Sequence, residues 1–439
     1  MKGIRRRVIA VILLCLTMCF TGCGEEELVS EDFQRGNSRN IEVNSIMKTD
    51  KGFYYSQGGM EKLSLYYYDS ANGKSMYLCN KPECRHEGDE FCAATSDKYY
   101  AMETVMYSGS LYVAAVEETE TAYKYKLLKA SLDGSSLSEV VTYFEADSVD
   151  VMPFCNWKMY PVLTIHRNKV FLPYELRNRN NSEIGMNGTA IYDLATGELT
   201  YLGEKDRGLK EQDINFMGCG DYMYFATAQK FKTKLYRYSY ADGSVEMMDL
   251  ENNFKGEYAL YDENTIFYIR AQKELFKYNH ETKENTRINT KEWNGYNFEI
   301  MTTEGMQPIV LDFTNLYSIL SDGEYVYIPE GFSNNGFNAP RFEGYDPTHF
   351  DDEGPEKKNY IEVTMLDCDG NYVNHVEVSS EDLLGYSECF TLHILEDAVY
   401  MQTPFMVYEC SKEDFIAGNA SFKEVYPLDI GIHSVKEEQ

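Results

Sequence analysis

The stretch DYMYFATAQKFKTKLYRYSYADGSVEMM, Asp221 to Met248, contains the pattern on which the fold prediction rests. It begins with a turn followed by apolar and aromatic residues, and its second half contains the alternating run LYRY at residues 235–238. Alternation of this kind is typical of a β-strand with one buried face. Asp242 and Gly243 tolerate the backbone conformations of a tight turn, so they predict a hairpin. Two hairpins in one unit predict four antiparallel strands.

The same unit recurs along the chain. A turn followed by apolar and aromatic residues occurs seven times, and a second hairpin with its own turn signal follows each occurrence. The corresponding aromatic residues are Tyr54, Tyr112, Phe171, Tyr224, Phe267, Tyr327 and Tyr400. A lone four-stranded sheet cannot bury both faces, whereas sheets stacked around a ring bury one another. We therefore predict an all-β fold, a seven-bladed β-propeller over residues 41–428. A β-sandwich or a string of small β domains is the alternative.

The N-terminal residues are typical of a lipoprotein signal peptide. Lys2 and Arg5–Arg7 form a basic segment, and Val8–Phe20 form an apolar segment that is short for a membrane span. The run Phe20-Thr21-Gly22-Cys23 resembles a bacterial lipobox, which predicts lipidation of Cys23 and anchoring on the outer face of the cytoplasmic membrane. An uncleaved anchor helix is the alternative. The predicted flanking segments are a signal peptide at residues 1–22, a flexible tether at residues 23–40 and a C-terminal tail at residues 429–439.

The net charge restricts the partners of the protein. The formal charge is −30, and removal of Lys2, Arg5, Arg6 and Arg7 with the signal peptide makes it −34. Such a surface repels the phosphates of nucleic acid and the headgroups of anionic lipid. The sequence therefore predicts no nucleic-acid partner, and it predicts contact with the membrane through the N-terminal lipid.

One loop collects four residues that ligate metals. In LCNKPECRHEGDEFC, Leu78 to Cys92, three cysteines and a histidine lie within 14 residues. Zinc takes four ligands tetrahedrally, and sulfur and imidazole nitrogen are suitable donors. A Cys79–Cys84 or Cys84–Cys92 disulfide is an open alternative, because thiols outside the cell tend to oxidise. A disulfide gives no reason for a histidine between the cysteines, so we favour a structural zinc site. Its predicted ligands are Cys79, Cys84, His86 and Cys92.

With the hairpin repeats and this loop in place, the chain resembles a family of tethered β-propeller lipoproteins of Gram-positive anaerobes with TolB-like blades. Some members carry a Cys-x-Lys-Pro-x-Cys-x-His-x(n)-Cys segment after the first hairpin pair. The matching positions are Cys79, Lys81, Pro82, Cys84, His86 and Cys92. The family has no assigned activity, so the resemblance implies an architecture and a location without a mechanism.

The sequence contains no G-x-S-x-G elbow, H-E-x-x-H pair or P-loop, so we predict no catalytic residues. The best candidate for a binding loop is the acidic and aromatic insertion at residues 330–359, which suits a sugar or peptide; a solvated covering loop is the alternative. Its candidate binding residues are Phe342, Tyr345, Asp346, His349, Asp351 and Asp352.

Together, these features predict a cell-surface lipoprotein that binds or scaffolds an extracellular protein or glycan. An extracellular enzyme that processes carbohydrate or peptide, with carboxylates in the central funnel of the propeller, is the alternative.

The lipobox generates the first testable prediction. Replacement of Cys23 by alanine removes the acylated sulfur, so Cys23→Ala should lose the acyl mass and be released into the medium. Mass spectrometry and fractionation of cells that express the full chain would measure both effects. Membrane retention equal to that of the unmodified protein would contradict the prediction.

Overall fold

The protein is described here from a computed structural model. The described residues are 46–57, 62–88, 92–147, 151–153, 163–178, 184–204, 212–229, 232–270, 274–288, 296–302, 305–311, 319–332, 360–379, 391–403 and 406–427. The predicted signal peptide, tether and C-terminal tail, Cys23, and residues 333–359 of the predicted binding loop lie outside them; the first three residues of that loop are the last three of the strand Val326–Phe332.

The first sheet contains β1 (Met47–Thr49), β2 (Gly52–Gln57), β3 (Lys62–Asp69), β4 (Lys74–Tyr77), β5 (Thr95–Tyr107), β6 (Ser110–Glu118), β7 (Ala122–Ser131) and β8 (Leu137–Asp147). The second contains β9 (Val151–Pro153), β10 (Thr164–His166), β11 (Lys169–Asn178), β12 (Ile184–Asp193) and β13 (Leu199–Tyr201). The third contains β14 (Gln212–Cys219), β15 (Tyr222–Gln229), β16 (Lys232–Ser239) and β17 (Val245–Met247), and the fourth contains β18 (Phe254–Leu260), β19 (Thr265–Arg270), β20 (Glu274–Asn279) and β21 (Glu284–Arg287).

A two-stranded hairpin follows, formed by β22 (Tyr296–Thr302) and β23 (Gly305–Leu311). The last two four-stranded sheets contain β24 (Leu320–Ser321), β25 (Val326–Phe332), β26 (Tyr360–Leu366) and β27 (Tyr372–Ser379), then β28 (Thr391–Ile394), β29 (Ala398–Gln402), β30 (Met406–Ser411) and β31 (Lys423–Pro427). A short helix, α1 (Lys412–Ile416), connects β30 to β31, and Ser411 caps it by accepting a hydrogen bond from the backbone N–H of Asp414.

The prediction of antiparallel four-stranded blades is confirmed, and the predicted number of blades is wrong. Among the described residues, five separate blades are present rather than seven. The blade that contains β14–β17 shows the expected local chemistry: β15 pairs with β16 from Tyr222↔Ser239 to Gln229↔Lys232. In the next turn, Gly243 has a φ of +70° and Asp242 accepts a hydrogen bond from the backbone N–H of Ser244.

The first two predicted blades are one continuous eight-stranded sheet because β3 is longer than its partner β4. β4 pairs with the second half of β3, from Tyr66 to Asp69. The start of β5 pairs with the first half, where Leu63 lies opposite Ser96 and Ser64 opposite Thr95. Backbone groups that would otherwise be unpaired at a sheet edge are thereby satisfied, and the edge expected between two blades is absent.

The sheets pack face to face in chain order. In β11, Val170 and Leu172 face the preceding sheet, whereas Phe171 between them packs against Phe216 and Phe225 of the following blade. This alternation places apolar side chains on both faces of β11, as burial between two neighbouring sheets requires.

The ring closes between the last blade and the first sheet. Phe53 and Tyr55 of β2 pack against Tyr400 of β29 and Tyr426 of β31, and all four side chains are buried. Lys48 of β1 adds ion pairs to the last blade, with its Nζ 3.0 Å from Asp397 Oδ2 and 3.4 Å from Glu409 Oε1. Closure of this kind defines a β-propeller rather than a sandwich or a string of separate domains.

In the part of the chain that the structure describes, no helix has the length and apolarity needed to cross a membrane.

The closing contact generates the second prediction. Tyr426 is 3% exposed and its ring centroid lies 5.1 Å from that of Phe53. Tyr426→Ala should therefore lower the free energy of unfolding by about 3–5 kcal/mol, measured by denaturant titration. Tyr372→Ala is the control, since Tyr372 is 45% exposed, and it should cost less than about 1 kcal/mol. Equal losses in the two variants would show that the closing contact does not hold the ring.

Candidate metal centre

The loop of residues 79–93 leaves and re-enters the sheet at one point. The backbone N–H of Leu78, just after β4, donates to the carbonyl of Leu65 at 3.0 Å. The N–H of Leu65 donates in turn to the carbonyl of Ala94, just before β5, at 2.8 Å. Because both ends of the loop are bound to one residue of β3, Cys79 and Cys92 lie close together although 13 positions separate them.

The four predicted ligands converge. The sulfur atoms of the three cysteines and a ring nitrogen of His86 all lie within 4.8 Å of one another. The distance from Cys92 Sγ to His86 Nδ1 is 3.5 Å. Typical zinc bond lengths in a tetrahedron place sulfur and nitrogen about 3.6 Å apart, and two sulfurs about 3.8 Å apart. The Cys92–His86 distance therefore matches a tetrahedral zinc site, and Cys79, Cys84 and Cys92 are free cysteines in this structure.

The thiols compete for negative charge. Burial opposes ionisation of Cys79, but hydrogen bonds from the backbone of Ala93 and Lys81 and from the neighbouring thiols lower its pKa. At Cys84 a hydrogen bond from the backbone of His86 favours the thiolate, whereas burial and the two neighbouring thiols raise the pKa to about 11. Ionisation of Cys79 is thus favoured, while ionisation of Cys84 is opposed by charge crowding. A bound cation removes this opposition, because thiolate coordination offsets the repulsion.

Hydrogen bonds outside the cluster orient the buried ligand Cys92. Thr95, the first residue of β5, approaches Cys92 Sγ with both its backbone nitrogen, at 3.3 Å, and its hydroxyl, at 3.1 Å. The same hydroxyl accepts a hydrogen bond from the backbone N–H of Gly88 at 3.1 Å. Donors to a ligating sulfur fix its position and stabilise its charge, as outer-shell groups do in metal sites.

The backbone of the loop adopts a demanding conformation at two positions. His86 has a φ of +57°, which is unfavourable for a residue with a Cβ, and Gly88 has a φ of +87°. A Cβ on Gly88 would lie 2.5 Å from Asp97 Oδ1, so only glycine fits there. The loop therefore holds His86 in a strained conformation that directs its ring toward the cysteines, a pattern common at functional sites.

The sequence did not predict two residues that position the cluster, Thr95 and Gly134, or one that only contacts it, Tyr77. Thr95 donates to Cys92, Gly134 accepts a hydrogen bond from the backbone N–H of Asn80 at 3.1 Å, and the ring of Tyr77 stacks on His86 at 4.7 Å. Gly134 lies in the turn between β7 and β8, and nothing in the sequence relates it to the cysteines. Tyr77 lies only two residues before Cys79, so its proximity to the cluster was predictable from the sequence.

The other predicted site residues are not brought together by the described structure. Cys23 and the six candidate binding residues of the insertion lie outside the described residues. Of the buried carboxylates that bear on the enzyme alternative, Glu175 has its pKa raised by burial, and Arg177 and Gln212 bind its two oxygens. Asp213 accepts hydrogen bonds from threonine hydroxyls on both of its oxygens. These contacts give both carboxylates a structural explanation.

No protein-family model and no curated protein matches the chain. Solved structures resemble it distantly. A prolyl endopeptidase aligns with a TM-score of 0.47 at 11% identity, over 88% of this chain and 50% of its own. The β-propeller domain of the Trilobed protease from Pyrococcus furiosus aligns with a TM-score of 0.41 at 9% identity, over 92% of this chain and 99% of its own.

An uncharacterised protein of Listeria monocytogenes aligns with a TM-score of 0.39 at 9% identity, over 75% of this chain and 83% of its own. The chain spans half the length of the endopeptidase, and similarities of this strength do not carry over an activity. Sheet order and ring closure, together with the four converging ligands, define a β-propeller protein with a candidate Cys₃His metal centre.

Gly134 provides the third prediction. A Cβ at this position would lie 2.8 Å from the backbone nitrogen of Cys79, and φ is +69°. Gly134→Ala should therefore displace Cys79, lower the free energy of unfolding by about 1–3 kcal/mol and weaken metal binding. Gly73→Ala is the matched control: its φ is +63°, but the nearest atom, the Tyr68 hydroxyl, is 3.8 Å away. If both variants bind metal with equal affinity, contact with Gly134 does not position the cluster.

Proposed function

We propose that this chain is a lipid-anchored, extracytoplasmic β-propeller that binds or scaffolds another molecule, and that Cys79, Cys84, His86 and Cys92 hold a structural Zn²⁺ ion. The observation that carries the metal proposal is the convergence of four donor atoms within 4.8 Å. Three thiol sulfurs and one imidazole nitrogen are soft and borderline ligands, which select zinc over magnesium or calcium.

A structural role follows from the number of ligands. Four protein donors fill the tetrahedral shell of zinc, so no position is left for the water or substrate that a catalytic zinc requires. The position of the site also suits a structural ion, which would stabilise a loop at a junction within the first sheet. It closes the loop between β4 and β5, the point at which the first sheet continues instead of ending.

The binding or scaffolding role is supported by the architecture and the surface. A closed ring presents loops at the two ends of its central axis, and such loops are where propellers and other rigid scaffolds carry recognition residues. The formal charge of −30 favours a partner that is not nucleic acid. The resemblance of Phe20-Thr21-Gly22-Cys23 to a lipobox, and that of the repeats to tethered TolB-like propellers, support a location outside the cytoplasmic membrane, with an extracellular protein or glycan as the proposed partner.

The metal proposal is tested by stoichiometry and by spectroscopy. Full-length protein purified in detergent, under reducing conditions and without chelators, should contain about one zinc per chain by elemental analysis. Replacement by Co²⁺ should give the visible absorption of a tetrahedral thiolate complex. His86→Ala removes one donor and should lower zinc occupancy sharply, whereas His280→Ala, a histidine outside the cluster, should leave it unchanged.

The disulfide alternative has a distinct outcome. A peptide map without reduction would then show a Cys79–Cys84 or Cys84–Cys92 linkage. Such a linkage in protein that lacks zinc would reject the metal site.

A further inference from the structure

A column of aromatic rings runs from the metal cluster to the closing contact of the ring. The ring of His86 stacks on Tyr77 with centroids 4.7 Å apart, and Tyr77 stacks on Tyr66 at 4.8 Å. Tyr66 stacks on Tyr55 at 5.1 Å, and Tyr55 stacks on Tyr426 at 5.3 Å. Adjacent centroids are separated by distances at which aromatic pairs attract one another.

Strand register explains the column. Tyr77 of β4 lies directly opposite Tyr66 of β3, and Tyr66 lies directly opposite Tyr55 of β2. Directly opposed residues project from the same face of a sheet, so the three rings form a row across the strands. That face packs against the last blade, where Tyr426 of β31 meets the end of the row.

His86 belongs to both the cluster and the column. Its Nδ1 lies 3.5 Å from Cys92 Sγ, and the plane of its ring lies at 29° to that of Tyr77. Tyr77 is on the outer strand β4, all four residues of which are exposed. The sheet leaves the ring of Tyr77 at the surface, so its contact with His86 restrains it. Coordination of a metal by His86 would fix the imidazole and, through it, the ring of Tyr77.

We propose that metal binding at the cluster tightens the closure of the propeller between β2 and β31, so that the ion acts as a latch on the ring. This inference rests on the zinc site of the proposed function. A metal that immobilises His86 also orders Tyr77, and each further ring in the row then loses less conformational freedom on stacking against its neighbour. The loop of residues 79–93 and β31 are far apart in sequence. An effect of the metal on that loop alone would therefore not account for a response at β31.

The closing contact has components that do not depend on the column. Phe53 packs on Tyr400 with centroids 5.8 Å apart, and Lys48 pairs with Asp397 and Glu409. Loss of the metal should therefore loosen β31 without opening the ring. The expected signature is faster local exchange of backbone amides in β31, in a protein that remains folded.

Hydrogen exchange of the full-length protein with Zn²⁺ and with a chelator tests the latch. Zinc should slow exchange in peptides that cover residues 423–427 by about threefold to tenfold, the range expected from the coupling energy of one aromatic pair. Peptides that cover β15 and β16, in a blade remote from the column, should be unchanged. Tyr77→Leu keeps the four ligands and an apolar side chain but removes the stacked ring, so it should still bind zinc and should lose the protection of β31.

Met76→Leu is the matched control, because Met76 is on the same strand, is 48% exposed and lies opposite Tyr67, outside the row. It should retain both zinc binding and the protection of β31. Bound zinc with unchanged exchange in β31, or equal protection in wild type and Tyr77→Leu, would overturn the latch while leaving the metal site in place. Failure of the wild-type protein to bind zinc would overturn the metal site and the latch together.

Discussion

The architecture depends on the fact that each β-sheet has two apolar faces and can bury them only between two neighbours. Phe171 and the residues on either side of it show this within one strand, since they contact different sheets. In a linear stack the first and last sheets would each leave one face in water. Contact of Phe53 and Tyr55 with Tyr400 and Tyr426 removes both exposed faces at once. The closing interface is therefore the element on which the stability of every other interface depends.

A mismatch in strand length shapes the first part of the ring. β4 covers only half of β3, and the backbone groups on the remaining half need partners. The start of β5 supplies them, so one sheet runs through the place where two blades were expected. The same pairing binds Leu78 and Ala94 to Leu65 and brings together the ends of the loop that contains the cysteines. The departure from a regular blade and the convergence of the metal ligands thus have one cause.

The cluster contains an electrostatic conflict that the proposed zinc ion would relieve. Hydrogen bonds lower the pKa of Cys79, while the crowding of sulfur atoms raises that of Cys84. Coordination of the proposed ion would offset the charge crowding and the strain at His86, whose φ is +57°. Because His86 also stacks on Tyr77, the proposed coordination would restrain the first ring of an aromatic row that ends in the closing interface. The latch proposal thus links a small loop site to a contact across the first sheet.

The sequence by itself determined the strand-forming pattern, the turns such as Asp242-Gly243 and the identity of the four candidate ligands. These depend on alternation, local backbone preference and donor chemistry within a few residues, and all of these are local. Tertiary structure decided that β3 pairs with β5, so that five separate blades stand beside one larger sheet. It also decided that Thr95, Gly134 and Tyr77 surround the cluster. Pairing and stacking bring residues together through the register of neighbouring strands. Register depends on backbone hydrogen bonding and on burial of sheet faces across the whole ring, so no single segment determines it.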